Sequence, residues 1–506
     1  MRVKPPNRNR PSRGGATSDR PGLPRRTFLQ LGAAAGASLL GGPSAGAAGT
    51  ARAPASPSPG ETWAVRGKLL QAPAPDQLEA HQDALVVIGP DGVITHVQDA
   101  GPAHVDPFRR TGRLLELTPT QFLLPGLIDT HVHAPQWPQA GTALDLPLEQ
   151  WLFEYTFKLE ARYSDLVFAR EVYEDLVATL LANGTTTAVY YGSIHLPATR
   201  LLADLCLSQG QRALVGRVAM DDPEQCPDNY RDASAAIAID ETRALIDYIR
   251  AMPGNERRLV EPVITPRFIP ACTDALLLGL GALAKETGCA VQTHCSESDW
   301  EHEYVIARTG RHDAVALRDF GLMNRRTILA HGVHVSADDR ALIRAHGAGI
   351  SHCPLSNAMG ANGVLPVRRC LNEGVHVSLG SDIAGGPDPS MLRAIAMAAT
   401  VSGMLEDGVD PARPAASRGT AGSRISFVTA FHLATAAGGV ALDLPIGLLR
   451  PGYRFDALLV DTAVPDTNLR LHDRDKPVDA LQKIIWGASR GNIRKVWVDG
   501  RLVQSR

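Results

Sequence analysis

Two histidines, His131 and His133, follow an apolar run directly in the segment LLPGLIDTHVHAPQW, residues 123–137. In an extended chain, residues i and i+2 lie on the same face, so both imidazoles are predicted to point into one space at a strand end. A single histidine is more often structural. Two at this spacing, with further histidines after later strands, favour a metal site.

Other titratable side chains also follow apolar segments. THCSE carries His294 and Glu297, LAHGVH carries His331, and LGSDIAGG carries Asp382. Three imidazoles and one carboxylate suit a borderline-soft divalent ion, above all zinc, with one coordination position left for water. The pattern therefore predicts a hydrolytic zinc site where these strand ends meet.

The elements that must bring these residues together alternate between strand and helix. One helix is predicted to have Ser164 as its N-cap and to stop at Gly184. Histidines, rather than a glycine-rich phosphate turn, follow the first strand, which disfavours a doubly wound open sheet. Eight strand-helix units predict an α/β fold, a (β/α)8 TIM barrel whose site lies at the carboxyl ends of its strands. The predicted strands are 126–129, 185–189, 213–218, 260–265, 290–293, 327–330, 348–351 and 375–379.

The two ends of the chain contain short strand-like segments instead of alternating strands and helices. Segments 84–88 and 93–97 flank a Gly-Pro-Asp-Gly turn and predict a hairpin, and short strand-like segments recur after residue 454. We therefore expect a composite β-sandwich domain built from both termini. The predicted divisions are 61–122 for its first part, 123–448 for the barrel and 449–506 for its second part.

Composition limits the function classes. The chain has 51 basic and 53 acidic residues, a net charge of −2, which does not suggest a nucleic-acid partner. Its seven cysteines form no CxxC pair, so neither a disulfide framework nor a thiolate zinc site is expected.

The N-terminus resembles an export signal. Arg25 and Arg26 precede a short apolar segment and an Ala-x-Ala site at 45–47, which predicts a twin-arginine signal peptide over 1–47 and a linker over 48–60. Export to the periplasm or the extracellular space is expected. The alternative is a cytoplasmic protein with a disordered basic tail. The apolar segment is too short to predict stable membrane insertion.

These motifs resemble the metal-dependent amidohydrolase superfamily, with HxH after strand one, His after strands five and six, and Asp after strand eight. The resemblance implies a barrel with a composite β-sandwich. Many binuclear members have a lysine after strand four, where this chain reads Thr265-Pro-Arg267-Phe268. One zinc ion per chain is therefore expected.

A closer resemblance, to the guanine deaminases, covers residues 62–506 and depends most on DLPLEQWLFEYTF, APQW and TPRF. It implies hydrolysis of guanine to xanthine and ammonia by a homodimer. Aminohydrolases acting on 8-oxoguanine, a pterin or a triazine are the alternatives. A scaffold that has lost the metal is disfavoured because every ligand position is filled.

The resemblance also implies roles for individual residues. Asp382 would act as a base as well as a ligand, and Glu297 would carry a proton from ring N3 to the leaving amine. His331 would orient the nucleophile, and a direct role as a metal ligand is the alternative. The implied zinc ligands are His131, His133, His294 and Asp382. The implied substrate contacts are His133, Gln136, Trp137, Arg267, Phe268, Glu297 and Asp382.

Overall fold

The computed structural model describes residues 60–360 and 363–506. The predicted signal peptide over 1–47, and all of the predicted linker except Gly60, lie outside the described residues. No helix among the described residues combines the length and the apolar character needed to cross a membrane.

Strands from both termini form one sheet. Its strands are β1 (Trp63–Ala74), β2 (Gln77–Ile88), β3 (Ile94–Asp99), β4 (Leu114–Glu116), β5 (Gln121–Pro125), β15 (Ala457–Asp461), β16 (Ile493–Val498) and β17 (Arg501–Ser505). Their order is β17-β16-β15-β5-β1-β2-β3, with β4 paired to β1. The antiparallel pair β2–β3 confirms the predicted hairpin. The pair β5–β15 joins the N-terminal and C-terminal parts, so the domain does draw on both termini.

The remaining strands form a nearly closed parallel barrel, and all eight predicted strands are present. Its strands are β6 (Leu127–His133), β7 (Thr185–Tyr191), β8 (Arg212–Gly216), β9 (Val218–Ala219), β10 (Val260–Pro266), β11 (Ala290–Cys295), β12 (Thr327–His331), β13 (Gly349–His352) and β14 (His376–Leu379). β9 is a short extension that pairs with β10. Val132 of β6 bridges to Ile383, just beyond β14, and this contact joins the first strand to the last. The TIM-barrel prediction is confirmed.

The helices pack around the barrel and the terminal sheet. Their bounds are α1 (Pro102–Arg110), α2 (Leu148–Trp151), α3 (Phe157–Glu160), α4 (Leu166–Ala182), α5 (Leu196–Gln209), α6 (Ala235–Arg250), α7 (Asp274–Thr287), α8 (Asp299–Thr309), α9 (Asp313–Asp319), α10 (Ala337–His346), α11 (Pro354–Met359), α12 (Val367–Asn372), α13 (Met391–Asp407), α14 (Ala415–Arg418), α15 (Phe427–Leu433), α16 (Ala436–Leu442) and α17 (Pro477–Gly487).

The predicted N-cap of α4 was one residue too early. Ser164 ends a short 3-10 turn, whereas Asp165 has extended backbone and its carboxylate accepts hydrogen bonds from the backbone N–H groups of Val167 and Phe168. A carboxylate in this position satisfies amides that have no partner within the helix. The helix ends at Ala182, just before Gly184, as the sequence predicts.

A long excursion between β6 and α4 brings side chains over the barrel mouth. It consists of a 3-10 turn at Ala134–Gln139, α2, a π-helical turn at Leu152–Thr156, α3 and a 3-10 turn at Ala161–Ser164. Leu144, Leu146 and Trp151 of this excursion line the cavity at the mouth. The excursion therefore forms an apolar wall of the site.

Candidate active site

The side chains predicted to bind metal meet at the mouth of the barrel. His131, His133 and His294 each offer one ring nitrogen to a group whose atoms all lie within 4.8 Å of one another. Nε2 of His133 lies 3.0 Å from Nε2 of His294. Asp382 Oδ1 lies 3.1 Å from Nε2 of His131 and 3.4 Å from Nε2 of His133. The structure thus brings together all four predicted ligands.

The protonation state of these histidines fits a cation. Burial lowers the pKa of His131, His133 and His294 well below the usual range, so their imidazoles are neutral. Nδ1 of His294 lies 2.6 Å from the carbonyl oxygen of Arg267, to which it donates, so its Nε2 keeps a lone pair. Nε2 of His131 is buried without a hydrogen-bond partner in the described chain. Three neutral imidazoles beside a carboxylate fit zinc.

Asp129 ties the first barrel strand to the segment that carries Asp382. Its Oδ1 accepts from the backbone N–H of Ser381 at 2.9 Å and from that of His131 at 3.3 Å. The N–H of Asp382 in turn donates to the carbonyl of His131 at 2.9 Å. A Cβ on Gly380 would lie 2.8 Å from Cβ of His131, so glycine permits this close approach. The spacing of two ligand-bearing segments therefore depends on one buried carboxylate and one glycine.

Three residues at the barrel mouth have left-handed backbone. Ser296, His331 and Asp382 have φ values of 52°, 72° and 52°. Such conformations cost roughly 1–3 kcal/mol for residues other than glycine and cluster at functional sites. Here each one lies at the end of a barrel strand or shortly after it, where the site residues are supplied.

Glu297 and His331 lie on the side of the site next to Asp382. Oε1 of Glu297 lies 3.5 Å from Nε2 of His331, which is 4.0 Å from Oδ2 of Asp382. Burial, together with the charge of Asp382, raises the pKa of Glu297 to about 8. A carboxyl group with that pKa can both hold and release a proton near neutrality, which suits general acid–base catalysis.

Two buried carboxyl groups hold the backbone that carries Glu297. Oε2 of Glu301 accepts from the N–H of Glu297 at 3.0 Å, and Oδ1 of Asp313 accepts from the N–H of Ser296 at 3.0 Å. Both side chains are fully buried. Neither residue was predicted from the sequence. The four-residue separation of Glu297 and Glu301 is a local signal that could have indicated a contact. No local sequence pattern indicates the role of Asp313.

The cavity beside the histidines has one polar wall and one apolar wall. Gln136, Arg267 and Glu297 join the ligand-bearing residues on the polar side. Phe268 lies on the apolar side with its ring centre 6.1 Å from that of His294. Gln136, Arg267 and Phe268, all predicted substrate contacts, therefore line the cavity.

Trp137 was also predicted to contact the substrate, but the structure does not place it among the residues that line the cavity. Its indole N–H donates to Asp175 of α4 at 2.6 Å, and the ring packs away from the cavity. A 3-10 turn has three residues per turn, so successive side chains point about 120° apart. Gln136 therefore faces the cavity while its neighbour faces α4.

Comparison with known proteins places this geometry in a family. Residues 122–503 match the amidohydrolase family. A probable guanine deaminase of Schizosaccharomyces pombe is 37% identical over 86% of this chain and 82% of its own length. The guanine deaminase of Homo sapiens is 33% identical over 87% of this chain and 96% of its own. A crystal structure of guanine deaminase from C. acetobutylicum with bound guanine in the active site superposes with a TM-score of 0.79 at 30% identity, covering 87% of this chain and all of that one.

The hold of Glu301 on the Glu297 backbone predicts a change in hydrogen exchange. Glu301→Ala removes the acceptor of that N–H, and leaving a buried donor unpaired costs roughly 1–3 kcal/mol. Exchange in the peptide 294–300 should therefore accelerate by roughly tenfold. Exchange mass spectrometry measures this, with Glu303→Ala, an exposed change on the same helix, as the control. Equal exchange in both variants would show that Glu301 does not hold this backbone.

Proposed function

The chain belongs to the amidohydrolase family, and on that premise we propose that it hydrolyses guanine to xanthine and ammonia with one zinc ion per chain. The two relatives described above, each matching more than four fifths of the chain, are a probable guanine deaminase and a guanine deaminase. The observation that carries the proposal is one cavity lined by His133, His294 and Asp382 together with Glu297, Gln136 and Arg267. His131 completes the ligand cluster beside it.

His131, His133, His294 and Asp382 would hold the zinc ion. When bound, zinc supplies Lewis-acid chemistry that acidifies a water molecule near neutral pH. The residue after strand four supports a single ion, because Arg267 stands there and its guanidinium is paired with Glu160. A guanidinium has no acceptor atom to offer a metal ion, unlike the lysine that is carboxylated in many binuclear members.

The proton transfers of the reaction would be carried out by two carboxyl groups of this chain. Asp382 can accept a proton from the attacking water, since its other oxygen faces His331 rather than the ligand cluster. Glu297, with its raised pKa, can carry a proton between ring N3 and the leaving amine. His331 is held through Nδ1, 3.0 Å from Oδ1 of Asn357, and can orient the water from its other nitrogen. Phe268 supplies an apolar face to the ring.

Loss of a metal ligand and loss of the proton carrier should have different effects on zinc content and activity. Elemental analysis should find about one zinc per chain, and His133→Ala should lose both metal and activity while circular dichroism stays native. Glu297→Gln should keep its zinc but lose roughly 10²–10⁴-fold in kcat, because only the proton carrier is removed.

His104→Ala, an exposed histidine of α1, is the control and should match the parent in both measurements. Two ions per active chain, or activity without metal, would contradict the mononuclear assignment.

The donor groups of Arg267 lead us to expect selectivity for guanine over analogues that lack O6. The parent enzyme should deaminate guanine far faster than 2-aminopurine or adenine, because an analogue without O6 leaves a buried donor unpaired. Arg267→Lys keeps the charge but loses the planar pair of donors, so the difference should shrink. Ultraviolet assays over purines and pterins measure it, with exposed Arg170→Lys as control. Faster turnover of a pterin or of adenine would contradict guanine as the substrate.

We also infer, from the sequence of the N-terminus alone, that the protein is exported by the twin-arginine route. Arg25-Arg26→Lys-Lys should keep the precursor inside the cell, which fractionation and immunoblotting would detect. A full-length native protein found in the cytosol would contradict export. The expected homodimer and the expected lack of a nucleic-acid partner stay predictions.

A further inference from the structure

The carboxylate of Glu160 lies behind the cavity wall and holds two residues that line the cavity. It accepts from Nη1 and Nη2 of Arg267 at 2.6 and 3.1 Å and from Nε2 of Gln136 at 2.8 Å. Its side chain is 1% exposed. One buried carboxylate at the end of α3 therefore sets the position of both polar side chains.

This contact decides which atom of Gln136 faces a ligand. A carboxylate oxygen only accepts, so the amide atom beside Glu160 is the nitrogen. Oε1 of Gln136 is buried and has no hydrogen-bond partner among the residues that the structure describes. Because Gln136 lines the cavity, its side chain presents an acceptor there, which a ligand N–H would satisfy.

Glu160 also fixes Arg267, which presents donors where Gln136 presents an acceptor. Both of its terminal nitrogens are engaged by Glu160, and its Cζ lies 4.9 Å from the ring centre of Phe157. The guanidinium has no acceptor atom, so its remaining N–H groups can only donate. The cavity therefore contains one acceptor and one set of donors, both organised by the same carboxylate.

We propose that Glu160 is a positioning residue that makes the site read a lactam edge, a ring N–H beside a ring C=O. Gln136 Oε1 accepts from the N–H, and Arg267 donates to the C=O. The inference rests on the proposed function and names its substrate class, 2-amino-substituted lactam heterocycles. Guanine has this edge at N1 and C6, whereas adenine and 2-aminopurine have an unprotonated N1 and no oxygen at C6.

Binding to the unmodified, zinc-loaded enzyme tests the edge directly. Hypoxanthine has the lactam edge but no 2-amino group, and purine has neither. Calorimetry should find hypoxanthine bound at least about 100-fold more tightly than purine, since sites built around buried polar groups reject analogues that leave those groups unpaired. Affinities within about tenfold of each other would overturn the lactam assignment. This measurement does not depend on the folding of any variant.

Glu160→Gln tests the positioning role. The new amide can donate to Gln136, which lets the Gln136 side chain rotate, and it offers Arg267 one acceptor fewer. The preference for hypoxanthine over purine should narrow at least about tenfold. KM for guanine should rise more than kcat falls, with zinc content unchanged. Glu154→Gln, an exposed change on the same excursion, should match the parent.

The outcomes separate the inference from the proposed function. If Glu160→Gln keeps the ligand preference and the KM of the parent enzyme, the ion pair between Glu160 and Arg267 is purely structural. That result would overturn the inference. An enzyme that binds hypoxanthine selectively but releases no ammonia from guanine would instead overturn the proposed function.

Discussion

Burial of many titratable groups in one small space is the constraint on which this structure depends. Desolvation disfavours the charged form of each group, so it lowers the pKa of the histidines and raises that of Glu297 and Asp382. The result is neutral imidazoles that can bind a cation and a carboxyl group that can exchange a proton. Both properties follow from keeping water out, which the barrel core and the excursion after β6 accomplish.

Such a site must be held by contacts from outside it, and buried carboxyl groups provide them. Asp129 fixes the segment after β14, Asp313 and Glu301 fix the backbone of Glu297, and Glu160 fixes the guanidinium of Arg267. Each accepts backbone or guanidinium N–H groups. The contact between Glu160 and Arg267 is an ion pair, and charge-assisted bonds of this kind are the strong ones. Two of these contacts act at left-handed backbone: Asp313 accepts from the N–H of Ser296, and Asp129 from that of Ser381, the neighbour of Asp382.

The features visible in the sequence are those with a local pattern. Apolar, β-branched runs predict every barrel strand, and the i, i+2 spacing of His131 and His133 predicts their shared direction. Side-chain directions in irregular turns cannot be predicted in this way, because the 3-10 turn after β6 points Trp137 away from the cavity. Glu160 escapes detection for another reason. Its partner Arg267 is 107 residues away in the chain, and no local pattern encodes a contact over that separation.

The proposed reaction replaces the C2 amine of guanine with an oxygen atom from water. Turnover of guanine in oxygen-18-enriched water, followed by mass spectrometry, would follow that atom into the product. We expect xanthine with one heavy oxygen at C2 and one ammonia released per guanine consumed. Unlabelled product, or a product that keeps the exocyclic nitrogen, would contradict it.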